Sequence, residues 1–117
     1  MSAFQRACLL SEVAPDSAKR VVLDGRPIAV VRTDDGVFAI SDRCSHADVS
    51  LAEGEVDGCS IECWLHGSAF DLRTGRPLSL PAIEPVATYA VRIEGEGDAA
   101  VIEIDPTPIP ARTEERT

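Results

Sequence analysis

The chain has 117 residues, with 20 Asp and Glu against 11 Lys and Arg, two His and a formal net charge of -9. That length suits one domain around one core, and the acidity excludes nucleic acid and anionic membrane surfaces, which both require a cationic face. Apolar runs stop at about four residues, as in Ile28-Ala29-Val30-Val31, far short of the roughly 20 of a membrane span.

The opening MSAFQRACLL lacks an apolar stretch long enough for a secretory signal, so the cytoplasm is the expected location. In such a compartment the four cysteines, Cys8, Cys44, Cys59 and Cys63, point to metal or redox chemistry rather than to disulfides. An apolar content of 44% and a charged content of 26% are ordinary for a folded domain and set wholesale disorder aside.

In chain order, the sequence reads as short strands broken by turn signals, with no segment sustaining a helical period over ten or more residues. Asp24-Gly25 separates strands at 19–23 and 28–33, and Asp35-Gly36 introduces another at 37–41, in which Phe38 and Ile40 share a face. From Ser41 to Val56 the chain is polar and broken. Asp57-Gly58 then leads into a segment whose alternation puts Cys59, Ile61 and Cys63 on one side and Ser60 and Glu62 on the other. A loop over 64–68 precedes a short strand centred on Phe70 and a Thr74-Gly75 turn. Pro77, Pro81 and Pro85 deny ladder pairing through the next stretch. Tyr89, Val91 and Ile93 read as one face of a later strand, and Gly95 and Gly97 turn the chain into a last strand at 100–104. The residues from Pro106, rich in proline and charge, are expected to form a disordered tail over 106–117. The fold class is all-β, one domain over 1–105.

Both histidines lie beside cysteines, in Cys44-Ser45-His46 and Cys63-Trp64-Leu65-His66. Thiolate and imidazole are soft-to-borderline donors suited to zinc or iron, and spacings this short let both side chains of a loop converge on one centre. A structural Cys2His2 zinc site is one solution. Zinc, however, usually draws its cysteines from one motif and its histidines from another, whereas here each loop supplies one of each.

Cys44-x-His46, sixteen residues, then Cys63-x-x-His66-Gly67 resembles the Rieske iron-sulfur motif, with the specific part of the likeness over 42–85. The resemblance implies antiparallel sheets with an inserted cluster-binding subdomain and one [2Fe-2S] cluster per chain. Cys44 and Cys63 would then bind one iron, His46 and His66 the other. Two ferric ions, two sulfides and two thiolates sum to zero with neutral imidazoles, so one electron takes such a cluster only to minus one. That explains why Rieske centres, at roughly -150 to +300 mV, are easier to reduce than plant-type ferredoxins at about -400 mV.

The high-potential members of respiratory complexes join the two loops by a disulfide; the corresponding positions here are Val49 and Leu65, so that bond cannot form. The serine that hydrogen-bonds the cluster sulfurs is matched by Ser68, whereas Phe70 stands where those members carry a tyrosine. A missing donor leaves the reduced cluster less stabilised, which implies a potential toward the low end of the family. Gly67 would allow backbone N–H groups close to the cluster, Trp64 would shield it or dock a partner beside Leu65, and Pro81 would belong to a third, covering loop. Cys59 reads as core and Cys8 as a free thiol.

The implied function is not that of an enzyme. It is that of a one-electron carrier between a flavin-dependent ferredoxin reductase and a terminal acceptor such as a ring-hydroxylating oxygenase. Alternatives are the small Rieske subunit of a nitrite reductase-like enzyme and an accessory redox protein of iron-sulfur assembly. From Arg43 to Arg76 six acids face three arginines, which suggests an acidic docking face.

Overall fold

The computed structural model describes residues 4–43, 50–64, 69–78 and 86–109. Its strands are β1 (Gln5–Leu9), β2 (Ser17–Leu23), β3 (Arg26–Thr33), β4 (Gly36–Ser41), β5 (Glu55–Asp57), β6 (Ser60–Glu62), β7 (Ala69–Asp71), β8 (Thr88–Tyr89), β9 (Val91–Glu94) and β10 (Val101–Ile104). Three antiparallel sheets result, ordered β1-β10-β9, β2-β3-β4-β8 and β5-β6-β7. Among the described residues only three short 3-10 turns are helical, and no helix is long and apolar enough to cross a membrane.

The unbroken apolar run of β3 has a structural reason. Side chains alternate across a strand, so an apolar residue at every position means that both faces are covered. Ala29 and Val31 enter a core with Ile40, Leu51, Ile61, Cys63, Phe70, Leu72 and Val86. Ile28 and Val30 enter a second core with Cys8, Val13, Ala39, Tyr89, Ile102 and Ile104. The four-stranded sheet is thus a wall between two cores, with β1-β10-β9 on one side and β5-β6-β7 on the other. Because β4 pairs directly with β8 through Ala39–Tyr89 and Ile40–Thr88, everything between them in sequence, β5 to β7 included, is an insertion into the larger β framework.

Both predicted hairpins form. At the first turn Asp24 and Gly25 have φ of 57° and 76°, the two positive values of a type I′ turn whose twist matches its strands. Phe38 and Ile40 share the face toward the first core, as their alternation predicts. The late strand differs from expectation: Tyr89 pairs with β4, whereas Val91 and Ile93 belong to β9 in another sheet, with Tyr89 buried and Ile93 43% exposed. The chain changes sheets at Ala90, and period-two alternation cannot register such a change, since it runs on unbroken through the bend. Strand β1 has no such alternation to read; a register shift between Arg6 and Cys8 interrupts it where it pairs with β10. Past the expected domain boundary at 105, Thr88 and Ile109 exchange both backbone hydrogen bonds (3.0 and 2.8 Å). Residues 110–117 lie outside the described residues.

Candidate metal centre

The second Cys/His segment grows out of a rigid support. β6 and β7 pair through Ser60–Asp71, Ile61–Phe70 and Glu62–Ala69, and Ile61 and Phe70 are wholly buried in the first core. Cys63, the next residue beyond β6, keeps the orientation of Ile61 and is 1% exposed. Its thiol is free. Cys59 packs on the margin of the same core, so Cys59, Ile61 and Cys63 do share a face. Burial pushes the Cys59 thiol above its ordinary pKa, an effect that the nearby Arg73 opposes. Trp64, in contrast, is 53% exposed.

The first Cys/His segment is held differently. Asp42, at the end of β4, has a completely buried carboxylate that receives Arg20 Nε at 2.9 Å and Ser50 Oγ at 2.6 Å on Oδ2, and the Ala52 backbone N–H at 2.7 Å on Oδ1. Its backbone N–H donates to the Pro27 carbonyl (3.1 Å), and its own carbonyl accepts from Leu51 (3.3 Å). Arg43 and Ser50 form an antiparallel bridge. The residues on either side of 44–49 are therefore tied to each other and, through Pro27 and Arg20, to the four-stranded sheet. A buried carboxylate demands such partners, because an ionised group without them is expensive to remove from water.

A third segment, which includes Pro81, is anchored at both ends. Leu78 N–H donates to the Ala69 carbonyl (2.7 Å) and Val86 N–H to the Gly75 carbonyl (2.8 Å). Gly75 has φ of +79°, and a Cβ there would run into the Val86 carbonyl, so this turn requires glycine. Leu51, Phe70 and Val86 each lie within two residues of the end of one of these segments. All three share one buried core with Cys63.

Of the predicted site residues, Cys63, Trp64 and Phe70 are described, and Phe70 is wholly buried in the core. Cys44, His46, Leu65, His66, Gly67, Ser68 and Pro81 lie outside the described residues, and among the described ones no three His, Cys, Asp or Glu form a metal-binding group. On chemistry, the centre fits a [2Fe-2S] group: Cys63 is an unpaired thiol on a fixed strand end, and the three segments that would complete the site have their described ends in one place. Sequence reasoning overlooked the Asp42–Arg20 pair. The only signal was an acid two positions before Cys44, and nothing in sequence links it to an arginine 22 residues earlier.

An open groove of about 580 Å³ is bordered by Asp16, Glu55, Asp57 and Glu62. Of the six acids between Arg43 and Arg76, Glu55, Asp57 and Glu62 border this groove together with Asp16, all four carboxylates being exposed.

Comparison with known proteins adds to this geometry. The biphenyl dioxygenase ferredoxin subunit of Pseudomonas sp. (strain KKS102) is 42% identical over 93 residues, covering 79% of this chain and 85% of that protein. The ferredoxin of carbazole 1,9a-dioxygenase from Nocardioides aromaticivorans IC177 superposes with a TM-score of 0.82 at 37% identity, over 91% of this chain and all of that one. A ferredoxin from a complex of reduced oxygenase and oxidized ferredoxin in carbazole 1,9a-dioxygenase gives a TM-score of 0.78 at 32% identity, over 97% of this chain and all of that one. The model of the Rieske [2Fe-2S] domain matches residues 3–90, a span that takes in both Cys/His segments, the third segment and the strands that support them. With an all-β framework, an inserted three-stranded sheet and a free buried cysteine at its tip, the chain belongs to the Rieske [2Fe-2S] family, which carries one cluster per chain.

Proposed function

We propose that Cys44 and Cys63 bind one iron of the cluster and His46 and His66 the other, and that the chain carries single electrons from a flavin-dependent reductase to a terminal oxygenase in the cytoplasm. The observation that carries the reading is the buried, free thiol of Cys63 at the tip of β6, in one core with Leu51, Phe70 and Val86. The likeness to dioxygenase ferredoxins over most of both chains supports the carrier role. When bound, the cluster supplies one-electron chemistry at a potential set by its mixed ligands.

The protein's own contribution is support and access. Cys63 sits one residue past the end of β6 and is 1% exposed within the apolar core, which shields its sulfur from solvent. The neighbouring Trp64 and Leu78 stay about half exposed, on either side of the segment that contains His66. A carbazole dioxygenase ferredoxin has been seen in complex with its oxygenase. Here the exposed apolar pair would meet such an acceptor, and the acidic groove would steer a cationic partner. Gly67, Ser68 and Pro81 would complete the cluster's immediate surroundings. Phe70, buried in the core, donates no hydrogen bond to it, in keeping with a potential at the low end of the family. The domain proposed for residues 1–105 holds its cluster-binding part at about 42–85.

The test is a visible and EPR spectrum of anaerobically purified, dithionite-reduced protein. A Rieske signal with two irons and two sulfides per chain is expected, and it should vanish in His66→Ala. Survival of the signal in that variant overturns the ligand assignment. An association rate with the reductase that does not fall with salt overturns the acidic docking surface.

A further inference from the structure

Asp42 is a costly residue to bury, and the fold does so at one particular place. Its carboxylate is fully enclosed, yet its counter-ion Arg20 remains 54% exposed, so the charge is neutralised from the solvent side by an arginine of another sheet strand. On the inner side Ser50 and Ala52 donate to it, and these follow directly after residues 44–49. Including the Leu51 bond to its carbonyl and the adjoining Arg43–Ser50 bridge, four links join the two sides of a six-residue segment. A hydroxyl–amide bridge or an apolar contact would join them at lower desolvation cost. The second segment leaves and rejoins the framework at a strand pair, Glu62 facing Ala69.

We propose that Asp42 is the positioning residue of the first ligand loop: its carboxylate ties the two described ends of the segment that carries Cys44 and His46 to the main sheet, and places one buried negative charge two residues before Cys44. The inference rests on the ligand assignment above. It has two separable consequences. Without the lock, the loop opens more often and its iron becomes accessible to competing ligands. Without the charge, the reduced, more negative cluster is better tolerated, and the potential rises.

The experiment uses the purified holoprotein and its Asp42→Asn, Asp42→Ala and Ser50→Ala variants. The readouts are the rate at which a chelator bleaches the visible spectrum, the reduction potential and the melting temperature. A core variant on the far side of the sheet, Ile104→Val or Ile104→Ala, is chosen to match the melting temperature of Asp42→Asn. Loss of charge-assisted hydrogen bonds should bleach Asp42→Asn about tenfold faster than wild type. Asp42→Ala should bleach faster still and Ser50→Ala least, and the potential should rise in Asp42→Asn but stay unchanged in the Ile104 control. Should Asp42→Ala fail to fold, Asp42→Asn and Ser50→Ala carry the comparison. Bleaching of the Ile104 control as fast as Asp42→Asn, or an unshifted potential in Asp42→Asn, overturns the proposal. A wild-type chain with no Rieske spectrum overturns the ligand assignment and this inference with it, whereas a normal wild-type spectrum with unaffected Asp42 variants overturns this inference alone.

Discussion

The two segments that carry the Cys/His pairs leave the framework through necks built on different physics. Around 65–68 the neck is a β-ladder: Glu62 faces Ala69, and below them Ile61 and Phe70 are fully buried. Around 44–49 it is electrostatic, a buried Asp42 bridging Ser50, Ala52 and Arg20. A ladder over an apolar core is part of the global fold and opens only when that fold is lost. A neck of hydrogen bonds to one carboxylate, with Leu51 as its one buried apolar anchor, can open at lower cost than the ladder. The first segment is thus the one whose stability is set locally, and the second is insured by the whole domain.

Substitutions at each neck would sharpen or break this contrast. Phe70→Ala removes the largest fully buried side chain of the ladder neck and should cost about 3–5 kcal/mol. Chemical denaturation would show a lower midpoint for the entire domain and not a separate transition. Gly75→Ala comes next, because a Cβ would meet the Val86 carbonyl at a φ of +79°. The left-handed conformation alone costs roughly 1–2 kcal/mol, and a fall of several degrees in melting temperature is expected.

At the electrostatic neck, Ser50→Ala should lower global stability by about 1.5–3 kcal/mol at most, the range for a hydrogen bond to a charged group. Amide hydrogen exchange should nonetheless quicken at Leu51 and Ala52 while Ile61 and Phe70 keep wild-type protection. Equal loss of protection at both necks would contradict the distinction. Trp64→Ala should have the smallest effect on folding, within about 0.5 kcal/mol, because the side chain is mostly in solvent. Its consequence should appear instead as slower electron delivery to an oxygenase, measured by stopped-flow absorbance. On the far side of the sheet, burial raises the pKa of the Cys8 thiol, with Glu12 adding to the rise. Cys8 should therefore resist alkylation at neutral pH until the domain unfolds, which makes it a reporter of global opening against which both necks can be timed.

Local patterns were readable where a short stretch of chain contained the whole cause. Asp24-Gly25 suffices for a type I′ turn, because only the two turn residues need positive φ. The alternation through Cys59, Ile61 and Cys63 identifies the buried face of β6 because the period of a strand is set by its own backbone. The four candidate ligands were proposed on a similar basis, as short spacings of the donor types that iron and zinc accept. Ile28 to Val31, apolar at every position, implies cover on both faces, but not which strands supply each core. The break between Tyr89 and Val91 was hidden, since alternation does not record which sheet a strand joins.

What the sequence determined unaided was the class of strand-built domain, the positions of its tight turns and a two-loop Cys/His pattern that resembles the Rieske motif. Each depends on the chemistry or backbone geometry of neighbouring residues. Tertiary structure alone decided that one sheet separates two cores, that Phe70 is an interior support, and that Arg20 neutralises a carboxylate two residues before Cys44. These contacts join residues far apart in the chain, and whether a buried charge finds its partner is settled only when the strands that carry them have packed.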